Sequence, residues 1–259
     1  MHNKFKLLQL ATPKPPVGVT RLFLSKNDKT GFSINVAIGL TCRPTKACMQ
    51  YCYGLESRIS LKPSLGRHAQ NFAAFEQMEG LPIEILQWEA HYVADTVLKS
   101  QTFLRVFGVG DLQPGSVRFI NVLAAEAPAL ALWVSTRKFD LAAGLLVKPN
   151  LHVMLSLDST TLKADRLKAE KLAKRPGGQF YLAWVQQDPK EKPPKKITVV
   201  FAEHHFHGGR ATWTKADVDP RTCPATIRGG EKHADACSRC RYCFTTEKRE
   251  CRSPQALGI

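Results

Sequence analysis

The chain has 259 residues, of which 44% are hydrophobic and 23% charged, so one packed domain, or one domain with a small appendage, is expected. No run of 18 apolar residues occurs and the opening Met1-His2-Asn3-Lys4-Phe5-Lys6 lacks the apolar region of a secretion signal, which excludes a membrane-spanning helix and makes the cytoplasm the expected location. The excess of 37 basic over 22 acidic residues gives a net charge of +15. That balance suits either a nucleic-acid partner or a generally cationic surface, and it gives no reason to expect a membrane.

Residues 1–30 are rich in Pro and Lys and read as an N-terminal arm or a peripheral hairpin. Phe32–Leu40 is the first apolar strand, and Tyr53–Leu61, Leu65–Gln77 and Pro82–Ser100 follow as helices, the last with Ile85, Leu86, Trp88, Ala90, Val93 and Val97 near helical spacing. A repeating pattern then sets in. Strands are expected at Phe103–Val109, Leu130–Ser135, Leu151–Leu157, Gln179–Val185 and Ile197–Ala202. Helices are expected between them at Gly115–Ala127, Lys138–Val147 and Thr161–Lys174, and a Lys- and Pro-rich loop, Gln187–Lys195, precedes the last strand.

Short apolar strands alternating with helices imply parallel βα units. The series fits a partial barrel or an open doubly wound sheet. We take it as α/β, with a partial (β/α) barrel of about six parallel strands over 31–205. Either architecture gathers chemistry beyond the carboxyl ends of its strands. The segments Gly108-Val109-Gly110-Asp111, Ser135-Thr136-Arg137 and Ser156-Leu157-Asp158 all fall there. Beyond 206 the apolar periodicity fades, and 206–259 reads as a cysteine-rich extension that folds around metal.

Eight cysteines form two groups with none between them. In a reducing compartment such clusters read as metal ligands rather than disulfides. Cys42, Cys48 and Cys52 have the pattern C-x5-C-x3-C directly after the first strand. Three thiolates can hold a [4Fe-4S] cluster and leave one iron open. In the extension, Cys237, Cys240 and Cys243 form C-x2-C-x2-C, and Cys223 or Cys251 can supply a fourth ligand. That spacing suits a second cluster, with zinc as the alternative. The run Glu203-His204-His205-Phe206-His207 reads either as a polar loop or as further metal ligands. His68 is a candidate fourth ligand if the first group holds zinc.

A three-cysteine loop after the first strand, an aromatic (Tyr51) before its last cysteine, and βα units beyond it resemble the radical S-adenosylmethionine superfamily. The usual spacing there is C-x3-C-x2-C, from which this chain departs. More closely, Leu40-Thr41-Cys42 to Cys52-Tyr53-Gly54, Val106-Phe107-Gly108-Val109-Gly110-Asp111 and Trp133-Val134-Ser135-Thr136-Arg137-Lys138 resemble the phage gene-product-88 family over roughly residues 30–160.

The first resemblance implies S-adenosylmethionine chelated to the open iron. It also implies the methionyl amine at Gly108, Gly110 and Asp111, the methionyl carboxylate at Arg137, and the ribose hydroxyls at Ser156 and Asp158. An electron donor would drive reductive cleavage of the sulfonium and start radical chemistry on a substrate the sequence does not identify. Two alternatives stand beside this reading. One is a zinc-dependent nucleic-acid-binding protein, resting on the +15 charge and on Arg239, Arg241, Lys248, Arg249 and Arg252 around the cysteine run. The other is an iron–sulfur protein without S-adenosylmethionine chemistry.

Overall fold

A computed structural model describes residues 21–27, 30–52, 62–188, 190–202 and 219–223, with positions 237, 240, 241 and 243 of the extension. The elements are β1 (Leu24–Asn27), β2 (Gly31–Ile34), α1 (Lys46–Tyr51), α2 (Lys62–Met78), α3 (Ile83–Leu98), β3 (Phe103–Val106), α4 (Pro114–Glu126), β4 (Ala131–Thr136), α5 (Phe139–Ala142), β5 (Leu151–Leu157), α6 (Lys163–Leu172), β6 (Phe180–Gln186) and β7 (Val199–Ala202). Among the described residues no helix is long and apolar enough to cross a membrane.

The strands form one mixed sheet of seven in sequential order, β1 to β7. β1 pairs antiparallel with β2, so part of the segment read as an arm or hairpin belongs to the sheet. From β2 to β7 every pairing is parallel. β1 and β7 are its edges and the sheet is open. Sequential parallel strands joined by right-handed crossovers place their helices on one face. The packing agrees. Leu104, Val106, Leu132, Val134, Val153, Leu155, Leu182, Trp184 and Val200 join helical residues such as Phe75, Leu86, Val93, Phe119 and Leu123 in the main core. The alternate residues Phe103, Trp133, Met154, Tyr181, Ala183 and Val199 form a second cluster, to which none of α1 to α6 contributes. Period-two alternation thus gives the sheet one face covered by α2, α3 and α4 and an opposite face around Trp133 and Tyr181.

Local chemistry explains where elements end. β3 stops at Val106 because Phe107 turns to a positive φ of 62°, which a bulky residue adopts only when its surroundings hold it there. Its N–H still donates to the Ile34 carbonyl at 2.8 Å. β2 stops at Ile34, short of the expected Leu40. Beyond it the Asn35 side chain takes over a sheet-like role, accepting from Val109 N–H at 3.1 Å. The expected Lys138–Val147 helix shrinks to α5, and Gly144 and Leu145 close it by donating to the carbonyls of Leu141 and Ala142. The expected helix at Tyr53–Leu61 and the Glu203–His207 run lie outside the described residues.

The first turn of α4 lies against α2 so closely that Gly115 is obligatory. A Cβ there would collide with the Phe75 carbonyl and stand 2.9 Å from the Glu79 nitrogen. Both are backbone, in α2 and in the turn that ends it, and cannot step aside as a side-chain tip can. Gly115→Ala is therefore expected to lower unfolding stability by about 1–3 kcal/mol, read as a lower urea midpoint with an unchanged slope.

Candidate metal centre at the carboxyl end of the sheet

The chain leaves β2 through buried Val36, Ala37 and Ile38 and enters the cysteine loop at Thr41, whose hydroxyl donates to the Ala37 carbonyl at 2.9 Å. Thr45 is the N-cap of α1, and its hydroxyl accepts from Cys48 N–H at 3.1 Å. Thr is among the residues that favour the N-cap position, because its hydroxyl can satisfy a backbone N–H of the first turn. α1 carries Cys48, and Cys52 is its C-cap. The C-x3-C spacing is an i,i+4 pair, which puts both thiols on one side of a helix. They hydrogen-bond to each other.

The helix is fastened to the ends of β4 and β5. Asp158, at the end of β5, is fully buried. One carboxylate oxygen accepts from the Thr45 hydroxyl at 2.5 Å and from Arg137 Nη1 at 2.7 Å. The other accepts from Thr160 N–H at 2.9 Å and from the hydroxyls of Thr160 at 2.8 Å and Thr161 at 3.3 Å. Thr160 in turn accepts from Ala47 N–H at 3.1 Å. Burial pushes the Asp158 carboxyl up, but the Arg137 guanidinium and the threonine donors outweigh it and hold it below the usual range.

Asp111 makes a second tie. Its carboxylate accepts from the Thr136 hydroxyl, Leu112 N–H and Arg137 N–H at 2.5, 2.8 and 3.1 Å. Its own N–H donates to Thr41 Oγ1 at 2.9 Å. Burial raises its pKa, because these neutral donors and the charge of Lys138 compensate it only in part. Gly110 has a φ of +82° and lies against Val36 and Thr41; Gly108 lies against Asn35. Both glycines thus let loop backbones meet. Ser156 is buried, with its hydroxyl 3.5 Å from that of Ser135.

These neighbours split the three thiols. Burial, followed by the Asp111 charge, pushes the Cys42 thiol up to about 12. The hydrogen bond from Cys52, helped by Arg137, brings the Cys48 thiol down to about 7 against burial, Asp158 and Asp111. Sequence reading had singled out Arg137, Asp158 and Asp111 but missed Thr45, Thr136 and Thr160, which join them. Among the described residues, no three His, Cys, Asp or Glu side chains sit close enough to hold a single metal ion. A cubane does not ask for that convergence, since each thiolate binds a different iron. His68 is buried on α2, its Nδ1 has no hydrogen-bond partner, and burial together with Arg67 brings its pKa down to about 4.

Three described cysteines of the extension lie on the Trp133 face. Cys223, Cys237 and Cys243 pack against the cluster around Trp133 and Tyr181, and the Tyr181 hydroxyl donates to the Cys243 carbonyl at 2.7 Å. Cys223 N–H donates to the Val200 carbonyl at 2.8 Å, which adds a short parallel bridge beside β7. Cys240 is half-buried, and Cys251 lies outside the described residues.

Fold and site together define an α/β protein with cysteine groups at the end and on the open face of a largely parallel sheet. A family model described as Gene product 88 matches residues 10–246, and the chain belongs to that family. The match extends well beyond residues 30–160, which carry the family-like motifs. No curated protein and no solved structure matches the chain.

Two outcomes follow from this electrostatic layout. In metal-free protein near neutral pH, iodoacetamide should label Cys48 well before Cys42, as read by peptide mass spectrometry, because the thiolate is the reactive form. Asp158→Asn should cost about 3 kcal/mol at neutral pH by breaking a buried ion pair. A depressed carboxyl stabilises the fold above its unfolded pKa and loses that contribution as pH falls through the folded one. The gap between variant and wild type in urea melts should therefore narrow in acid.

Proposed function

We propose that this chain is an iron–sulfur protein of the radical S-adenosylmethionine type. In this reading Cys42, Cys48 and Cys52 hold a four-iron cluster with one open iron, and the extension holds a second metal group. The observation that carries it is the chain of neighbours at the carboxyl end of the parallel strands, in which Cys48 interacts with Cys42, with Cys52 and with Arg137. The donor set fits such a cluster. Cys48 is close to its thiolate form already, and buried Cys42 has an anionic neighbour but lacks the cation that iron would supply. The sequential order of six parallel strands is also the order a partial (β/α) barrel would have.

When bound, the cluster would supply the single electron needed to cleave a sulfonium. The chain's own residues would position and shield. Asp158 and Thr160 hold the cysteine helix. Asp111 holds the loop after β3 against β4, and with its acceptor sites filled it serves as a tie rather than as a free partner for an ammonium. Arg137 spends Nη1 on Asp158. Its remaining N–H groups can grip a carboxylate as a fork. With Asp158 saturated, Ser156 is the residue left for a ribose hydroxyl.

Anaerobically purified protein should be brown and contain about four irons and four sulfides for each occupied site. Changing Cys42, Cys48 and Cys52 to Ala should abolish one cluster and all reductive cleavage of S-adenosylmethionine. Colourless protein carrying zinc, with nucleic-acid affinity that falls steeply with salt, would replace this reading by the zinc one, which the +15 charge favours. Iron and sulfide without cleavage would leave an iron–sulfur protein of another kind.

A further inference from the structure

On the Trp133 face of the sheet, Arg105 stands without a counter-charge among the described residues. Arg105 is the third residue of β3 and is half-buried. Its register neighbours are Ser33 on β2 and Trp133 on β4, with His152 of β5 next in the row. The guanidinium carbon lies 4.9 Å from the centroid of the Trp133 ring. No carboxylate pairs with it among the described residues. Its buried Nε has no acceptor. The two acids at this end of the sheet, Asp111 and Asp158, are committed to Thr136, Thr45 and Arg137.

Desolvating a guanidinium without an acid is unfavourable unless something else supplies the negative charge. A flat aromatic platform orients the fork and compensates it only in part. Gly108 borders the group, since a Cβ there would stand 3.6 Å from the guanidinium carbon and from Nε. The Gly108–Asp111 turn therefore runs along one side of the same space.

We propose that Arg105 binds an oxyanion, the phosphate or carboxylate of a small-molecule ligand, on the Trp133 face of the sheet, with Trp133 as its platform. The site needs no cluster, so it can be tested whether or not the proposed function holds.

The experiment titrates the full chain with inorganic phosphate and, separately, with acetate. Ionic strength is kept constant with chloride, and indole fluorescence and melting temperature are the readouts. Iron content is measured on the same sample. Saturable binding of phosphate, of acetate or of both supports the site and says which oxyanion it prefers. Arg105→Gln should weaken it on the order of tenfold or more, and Arg105→Lys should weaken it less, because the charge remains while the fork is lost. Phenylglyoxal labelling of the wild type, located by mass spectrometry, adds a readout that no folding defect can mimic: the bound oxyanion should slow modification at Arg105. The proposal is overturned if neither anion saturates, if a folded Arg105→Gln binds as well as wild type, or if Arg105 labels at the same rate with and without the anion.

Discussion

Everything at the carboxyl end of this sheet depends on one buried carboxylate. Asp158 touches three separate pieces of chain: its own turn through Thr160 and Thr161, the end of β4 through Arg137, and the cysteine helix through Thr45. A six-residue helix such as α1 has no stability of its own in water. Its N-terminal N–H groups must be satisfied from outside, and they are: Cys48 N–H by Thr45 and Ala47 N–H by Thr160. The position of the cysteines is thus set by hydrogen bonds to the turn after β5, more than a hundred residues further along the chain, as much as by the strand that precedes them.

Asp111 and Asp158 are both buried, yet their acidities move in opposite directions. The difference lies in their partners. Asp158 has a guanidinium at 2.7 Å, while the three groups that donate to Asp111 are a hydroxyl and two backbone N–H groups. The thiols inherit the contrast. Cys42 feels Asp111, whose hydrogen-bond partners are all neutral, and Cys48 feels the Arg137 guanidinium and a neighbouring thiol. A positively charged group placed between them would meet one ligand nearly ready and another whose high pKa is relieved by the group itself, which is how metal binding and thiol ionisation are linked.

The sheet was legible in the sequence because its strands are buried on both faces and read as unbroken apolar runs. Leu151–Leu157 was read to the residue, and the other parallel strands from β3 on kept their places with ends shifted by a few positions. The antiparallel β1, Leu-Ser-Lys-Asn, has no such pattern and stayed hidden in a polar segment. At the site, the cysteines and the acids stood out by residue type. What joins them did not, because Thr45, Thr136 and Thr160 act through single hydroxyls on partners far away in sequence, and no spacing rule encodes such a contact. Arg105 was invisible for a related reason. Only the register of four strands shows that, among the described residues, no acid on its face of the sheet matches it.

The C-x3-C spacing, which departs from the usual radical-enzyme loop, acquires a local physical reason. With two residues between them, two cysteines sit at i,i+3; with three, at i,i+4. Both pairs can share a helix face, but the longer one lets Cys52 close α1 as its C-cap while still reaching back to Cys48. The extra residues between Cys42 and Cys48 hold Pro44 and Thr45, the turn and the cap that start that helix. The added length therefore goes into a short capped helix docked on Asp158, in place of an irregular loop. Such a helix fixes the separation of Cys48 and Cys52 by its own geometry and leaves only Cys42, which the Thr41 hydrogen bonds restrain from the other side, to be placed by the turn.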